Sequence, residues 1–271
     1  MSGPERLRAD QLLVRLGLAR SRQEAQALIR AGRVRAGEQE VERPGQRLPA
    51  DARLEVVAPL HPYVSRGGLK LERVLRTWPI PVAGAVAMDV GASTGGFTDC
   101  LLQHGARKVY AVDVGYGQLA WRLRTDPRVV VLERTNIRHL EPSRLDEPVD
   151  LITVDVSFIS ITLFLNRLGA FLRPQGWLVV LVKPQFEAGR EQVGRGGVVR
   201  DPQVHRQVLH KVADAGQGAG FAVETVMASP LLGPKGNREF FIVFRRPGPP
   251  CPAPRLAELV EEALRQVPAS G

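Results

Sequence analysis

The chain is 271 residues long, 44% of them hydrophobic, and carries 37 Lys+Arg against 28 Asp+Glu for a formal net charge of +9. These proportions exclude a wholly disordered chain, no window approaches the roughly 18 uninterrupted apolar residues of a membrane span, and the start lacks a signal peptide's apolar core. Two cysteines, Cys100 and Cys251, give neither a metal spacing nor a disulfide framework, so a cytoplasmic protein with no metal and no stable membrane association is expected.

The first elements are basic. Between residues 6 and 35 stand eight Arg against Asp10 and Glu24, a surplus of +6. Two short helices are predicted there. One covers 10–18, apolar at Leu12, Leu13 and Leu16 and ended by Gly17; the second is capped by Ser21 and terminated by Gly32. Strand-like pieces broken by Gly37, Pro44-Gly45 and Pro49 fill 34–57. One sign of charge clustered on a small helical unit is the footprint of a phosphate-backbone binder, although a solvated basic face with no partner carries the same charge. The run L-x-x-x-G-L-A-R-S-R-x-x-A-x-x-L-I-x-x-G-x-V at 13–34 resembles the alpha-L RNA-binding motif. That resemblance implies a module that presents its second helix to structured RNA, with Arg6, Arg8, Arg20, Arg22, Arg30 and Arg33 as the RNA contacts.

Residues 59–66 read as a connector that Pro59 and Pro62 keep extended. It precedes Lys70 directly, so RNA docked on the small unit would reposition that lysine. Substitution at 63–65 is then expected to impair turnover more than cofactor binding. Lysine is scarce: only Lys70, Lys108, Lys183, Lys211 and Lys235 stand among the 37 basic residues. Each merits notice, because an amine can lose its proton near neutrality and a guanidinium cannot.

From residue 82 the pattern alternates. Seven strands are predicted at 86–90, 109–114, 129–132, 151–156, 177–182, 222–227 and 240–244, with helical intervals at 96–104, 118–124, 161–172 and 203–217. This is the signature of an α/β fold with a doubly wound, mostly parallel, Rossmann-like sheet, whose ligands lie at the carboxyl ends of the strands. The first strand ends in AMDVGASTGGF, with Asp89 before a loop of Gly91, Ala92, Ser93, Gly95 and Gly96 and then Phe97 at the start of a helix. Glycines there let backbone approach a ligand, and equally serve a purely structural turn. Asp113 ends the next strand, where a carboxylate can take both ribose hydroxyls of a nucleoside, and Asn136 after the third strand is placed to meet an adenine edge. The loop departs from the G-x-G-x-x-G that cradles a pyrophosphate. An acid before it suits an amine-bearing cation, so S-adenosylmethionine is preferred to NAD.

Four charged residues then stand at strand ends: Asp155 in ITVDVSF, Lys183 in VVLVKPQFE, Glu239 in KGNREFF and, before the sheet, Lys70 in SRGGLKL. Adjacent parallel strands bring Asp155 and Lys183 to one crevice, and Glu239 joins them if the last strand is antiparallel. Methyl transfer from a sulfonium to a ribose 2′-hydroxyl needs that hydroxyl deprotonated or strongly polarised. A lysine whose pKa is lowered by burial or a neighbouring cation can do this. The bland alternative is a set of surface ion pairs, Lys183–Glu239 and Lys70–Asp155.

Together SRGGLKL, DVGASTGGFTD, AVDVGYGQL, TVDVSFIS, VKPQFE, VGRGGVVRDP and KGNREF resemble the TlyA family, also known as hemolysin-like proteins. The match runs from about residue 7 to 245. Its broader relatives are FtsJ-type RNA methyltransferases. The resemblance implies S-adenosylmethionine-dependent 2′-O-methylation of cytidine in large-subunit rRNA, and in the longer type small-subunit rRNA as well. It implies a Lys70–Asp155–Lys183–Glu239 tetrad and ribosomal subunits as partners. Related enzymes often carry Gly or Pro where this loop has Ser93-Thr94. The expected division is an RNA-binding domain at 1–58, a connector at 59–66, a methyltransferase domain at 67–246, and a Pro-rich segment with a terminal helix at 247–271. The rival readings are a non-catalytic ribosome-assembly factor, which does not require the four charged residues as a set, and a membrane-active hemolysin, for which no spanning segment is present.

Overall fold

A computed structural model describes residues 5–30, 32–57, 61–194 and 196–266. The chain opens with β1 (Arg6–Arg8), α1 (Ala9–Arg15), α2 (Arg22–Arg30), β2 (Val34–Ala36), β3 (Gln39–Glu40), β4 (Arg47–Pro49) and β5 (Leu54–Val56). Strands β3-β2-β5 form one small antiparallel sheet and β1-β4 another. Leu12, Leu13, Ala25, Ile29, Val34 and Leu48 close a core of their own between these sheets and the two helices. Ser21 caps α2 as its position suggests: its Oγ accepts from Glu24 N at 3.1 Å, while Glu24 Oε2 accepts from Arg20 N at 2.6 Å. Leu16 departs from expectation. Helix α1 stops at Arg15 and Gly17 turns the chain at φ +71°, which leaves Leu16 46% exposed instead of in the core.

The larger unit comprises α3 (Gly67–Thr77), β6 (Val86–Val90), α4 (Gly96–Gln103), β7 (Lys108–Val112), α5 (Trp121–Arg124), β8 (Val129–Leu132), β9 (Val149–Val154), α6 (Leu165–Leu168), β10 (Leu172–Val182), α7 (Pro184–Glu187), α8 (Pro202–Gly218), β11 (Ala222–Ala228), β12 (Phe240–Arg245) and α9 (Ala253–Arg265). Its seven strands lie in the order β11-β12-β10-β9-β6-β7-β8. Strands β6 to β10 pair parallel, and β12 runs antiparallel between β10 and β11. One face carries Met88, Ile152 and Val180 against α6, α8 and α9; the other carries Ala87, Leu151 and Val179 against α3 and α4. Cover on both faces explains the near-continuous apolar runs in β9 and β10. Helix α9 contributes Leu256, Leu259 and Val260 to the first face, each burial stabilising by about 1.5–3 kcal/mol.

Two predicted helices are cut short. The interval 118–124 keeps only the single turn of α5, because the chain is still extended at Ala120 (ψ 139°), whose N donates to Thr94 O at 3.1 Å in the glycine loop. The interval 161–172 breaks into a 3-10 turn at Ile161–Leu163 and the one-turn α6, and Leu172 already pairs with Val149 in the sheet. Helix α3 opens on two glycines, so its sequence does not mark it as a helix. Of the expected connector, Pro59 and Leu60 lie outside the described residues, as do 267–271 of the tail, Arg195 of the VGRGGVVRDP run, and 1–4. Among the described residues no helix is long and apolar enough to cross a membrane.

Candidate active site and RNA-facing surface

The carboxyl ends of the parallel strands converge on the loop after β6. Gly91 takes φ +86°, and a Cβ there would lie 2.4 Å from the Asp155 carbonyl oxygen. At Gly95 (φ +96°) a Cβ would meet Leu123 at 2.2 Å, and at Gly96 it would meet Ser65 Oγ at 2.3 Å. These glycines therefore answer first to the protein's own close packing, the structural option left open by the sequence. Ala92 and Phe97 are likewise buried, Phe97 stacking on Phe241 at 6.2 Å between ring centroids. Ser93 is exposed on the loop at φ +49°.

Asp89 is fully buried. Its Oδ2 accepts from Thr98 N at 2.9 Å and Thr98 Oγ1 at 2.7 Å, and its Oδ1 from Thr153 Oγ1 at 3.2 Å. Burial pushes this carboxyl up to about 7; the bonds from Thr98 and Thr153 oppose the rise and the nearby Asp155 charge adds to it. Asp113 accepts from Ser93 N at 2.8 Å and Gly115 N at 2.6 Å, which ties the end of β7 to the loop. Asn136 Oδ1 accepts from Arg138 N at 3.0 Å in the turn after β8. Asp113 and Asn136 line a cavity of about 470 Å³ with Ile137, Phe158 and Phe164. A second cavity, of about 340 Å³, is lined by Asp89, Lys70 and Lys183 and, from the N-terminal unit, by Arg30, Glu42 and Arg43. Gly91, Ser93, Asp155 and Ser157 wall both cavities, so the two form one crevice. A nucleoside-sized volume with the Asp113 carboxylate at one end and the buried Asp89 toward the other fits S-adenosylmethionine.

The four strand-end charges meet as expected, with different partners. In β12, Phe240 pairs with Val182, so Glu239 comes level with Lys183. Lys183 Nζ lies 2.6 Å from Asp155 Oδ1 and donates to Ser157 Oγ at 2.9 Å. Lys70, in the first turns of α3, donates to Glu239 Oε2 at 2.6 Å. The side chains of Lys70, Glu239 and Lys183 are 12%, 0% and 11% exposed, so these are not surface pairs. Nor is the amine pKa lowered. Burial pulls Lys183 down, but the charges of Asp155 and Glu239 outweigh it and hold the amine above its ordinary value. Burial pushes Asp155 up, and Lys183 and Lys70 bring it below the usual carboxylate range.

Several residues escaped the sequence reading. Ser157 is one. Phe158 is 90% exposed at φ +66° on the crevice lip, with its ring 5.0 Å from Phe186. Glu187, at the end of α7, accepts from Ser160 Oγ at 2.6 Å and Ile161 N at 2.7 Å, pinning the loop that carries Ser157 and Phe158. Asn237 accepts from Val199 N at 3.0 Å and donates to Gly197 O at 2.9 Å, which joins the loop before β12 to the GGVVRDP segment. All lie inside the motifs TVDVSFIS, VKPQFE and KGNREF, but nothing in their spacing tells which member bonds to what.

The six arginines expected to face RNA do not act alike. Arg6 and Arg20 are exposed, and Arg6 donates to Arg47 O at 3.0 Å. Arg8 and Arg22 converge on the buried carboxylate of Asp10. Arg33 donates to Val57 O at 3.2 Å. Arg30 lines the cavity that also holds Lys70 and Lys183.

Family models match two stretches of the chain: an S4 domain over residues 7–54 and an FtsJ-like methyltransferase over residues 63–246. The 16S/23S rRNA (cytidine-2'-O)-methyltransferase TlyA of Mycobacterium tuberculosis is 50% identical over 241 residues, covering 89% of this chain and 90% of that one. A candidate rRNA methyltransferase of Bacillus subtilis, YqxC, is 46% identical over 261 residues, covering 96% and 92%. A solved structure of a candidate hemolysin from Streptococcus thermophilus superposes with a TM-score of 0.75 at 40% identity, covering 96% of each chain.

Proposed function

This chain belongs to the TlyA-type rRNA methyltransferases, in which an S4 domain precedes an FtsJ-like methyltransferase, and from that premise we propose that it methylates the 2′-hydroxyl of cytidine in ribosomal RNA. Large ribosomal subunits are the proposed partner, with small subunits as a second substrate, and the cytoplasm the place of action. The N-terminal unit at 1–58 grips RNA, residues 59–66 connect, and residues 67–246 carry the chemistry. The observation that supports this best is the pair of buried ion pairs, Lys183–Asp155 and Lys70–Glu239, on the walls of a nucleoside-sized crevice.

S-adenosylmethionine, when bound, supplies an electrophilic methyl on a sulfonium. Asp113 would hold its ribose hydroxyls, Asn136 its adenine edge and Asp89 its amine. Lys183, held as an ammonium, has three N–H groups. Asp155 and Ser157 take two, and the third is left for the incoming 2′-oxygen. There it would orient the hydroxyl and steady the negative charge that builds on the 2′-oxygen as its proton leaves, readying that oxygen for the methyl. The hydroxyl proton passes to the Asp155 carboxylate, the member of the pair able to accept it, since Lys183 is already an ammonium. Lys70 keeps Glu239 neutralised beside them. Phe158, bare to solvent on the lip, offers a ring on which the target base can stack once it leaves its own stack.

Incubation with methyl-labelled S-adenosylmethionine and isolated ribosomal subunits, followed by mapping of the modified atom, tests the reading. Wild-type chain is expected to label cytidine O2′, and Lys183→Ala to lose on the order of a hundredfold or more in rate. Label on a base atom, or undiminished transfer by Lys183→Ala, would refute it.

A further inference from the structure

The carboxylate of Asp10 sits in an unusual place for a charge. It is fully buried in the N-terminal core, in the first turn of α1. Arg8 gives it a two-pronged contact, Nε to Oδ1 and Nη2 to Oδ2, each at 3.0 Å. Gln26 Nε2 reaches Oδ2 at 3.0 Å, and Arg22 Nη2 reaches the same oxygen at 3.3 Å. Burial alone would raise this carboxyl, but those donors bring it down to about 2, so it stays ionised.

The arginines themselves are not buried. Their side chains are 38% and 55% exposed for Arg8 and Arg22. Two guanidinium groups that repel each other in water are thus drawn to one anion, one from the end of β1 and one from the start of α2. Among the described residues, the side-chain hydrogen bonds of Arg8 use Nε and Nη2 and that of Arg22 uses Nη2, which leaves Nη1 of Arg8 and Nε and Nη1 of Arg22 without one. With its Nε–Nη2 edge on Asp10, Arg8 keeps its Nη1–Nη2 edge as a planar donor pair held at a fixed angle, which matches the oxygens of a phosphodiester, and holding it in advance removes the side-chain ordering that binding would otherwise require.

We propose that Asp10 is a positioning residue for RNA binding, clamping Arg8 and Arg22 side by side into one site for an RNA phosphodiester. The inference rests on the rRNA reading above and adds to it a residue that touches no RNA. It also has a sign that simple charge does not share. Asp10→Asn makes a basic face more basic, and counterion release alone would then tighten binding to RNA. The clamp requires the reverse.

The test is steady-state methyl transfer by the full chain on isolated ribosomal subunits, with direct binding of the same subunits. For Asp10→Asn, KM and Kd for the subunit are expected to rise on the order of tenfold, with kcat and S-adenosylmethionine affinity unchanged. Arg8→Lys keeps both the charge and Asp10 but loses the fork, and is expected to shift KM the same way. Equal or tighter subunit binding by Asp10→Asn, at a wild-type melting temperature, overturns the proposal. Should Asp10→Asn melt early, Arg8→Lys and Arg22→Lys decide: unchanged KM in both overturns it, and a raised KM with an intact fold supports it. A wild-type chain that neither binds nor methylates subunits overturns the rRNA reading itself and the clamp with it.

Discussion

Asp89 titrates where it matters. With its carboxyl pushed up to about 7, it is partly protonated at neutral pH in the ligand-free protein. A cationic amine beside it favours the carboxylate, so cofactor binding releases a proton whenever the pH lies below that value. Affinity for S-adenosylmethionine is therefore expected to weaken as pH falls below about 7, by up to about tenfold per unit, and to level off above it. The effect on folding has the opposite sign. A folded value raised above 3.8 means that the contribution of Asp89 to stability is full below 3.8 and is lost as pH rises through about 7. Calorimetric titration of the cofactor across neutral pH checks the first claim; a flat profile in wild type, or a sloped one surviving in Asp89→Asn, would contradict it. At this scale the site was legible in part. Strand-end position alone puts Asp89, Asp113, Asp155 and Lys183 in one crevice, because parallel strands finish together. Which lysine meets which carboxylate was not legible, since that depends on how α3 docks and on the pairing of Phe240 with Val182. The expected lowering of the lysine pKa came out reversed for that reason.

The element that decides the partnering is α3. It enters through a connector pinned to α4, where Val64 N donates to Asp99 Oδ2 at 2.7 Å and Gln103 Nε2 donates to Pro62 O at 3.1 Å. Arg122 reinforces the same point by pairing with Asp99. Tyr63, buried, then lies against Gly68 so closely that a Cβ on that glycine would sit 2.2 Å from Tyr63 Cγ. The first turn of α3, which carries Lys70 toward Glu239, is seated by this contact. Gly68→Ala gains helix propensity, but overpacking of this kind costs about 1–3 kcal/mol and would tilt the helix away from Tyr63. The expected outcome is a fall in kcat of about tenfold or more with cofactor affinity changed less than about twofold, since Asp89, Asp113 and Asn136 lie on other elements. Stopped-time methylation assays beside equilibrium cofactor binding separate the two, and equal losses would count against it. The helix itself was hidden in the sequence because it begins with the two glycines of SRGGLKL, Gly67 and Gly68, poor helix formers whose smallness here serves packing. The helices overextended at 118–124 and 161–172 failed for the complementary reason: local apolar periodicity runs across Ala120, where the chain is still extended, and past Gly169 and Leu172, where the cap of α6 and the pairing with Val149 end the helix.

Across the whole molecule, charge and crevice meet. Six of the nine net positive charges fall within residues 6–35, and the sequence announces that unit plainly. It does not announce that the end of α2 and the turn before β4 reach the cavity lined by Lys70 and Lys183, because that depends on the seating of the connector on α4. Arg30 and Arg43 stand on the same cavity wall as Lys70 and Lys183. On the proposed reading, a substrate ribose placed at Lys183 has its flanking phosphates within the field of the basic N-terminal unit, so that recognition and chemistry would share one surface. The double substitution Arg30→Ala/Arg43→Ala should then raise KM for the ribosomal substrate by about tenfold or more and make the log–log salt dependence of kcat/KM shallower by about one to two units. Cofactor affinity should not move, since none of the proposed cofactor contacts belongs to that unit. Rate measurements over a salt series, paired with cofactor titration, give both quantities. A parallel loss of cofactor binding, or an unchanged salt slope, would mean that the two units meet at this crevice without sharing the substrate.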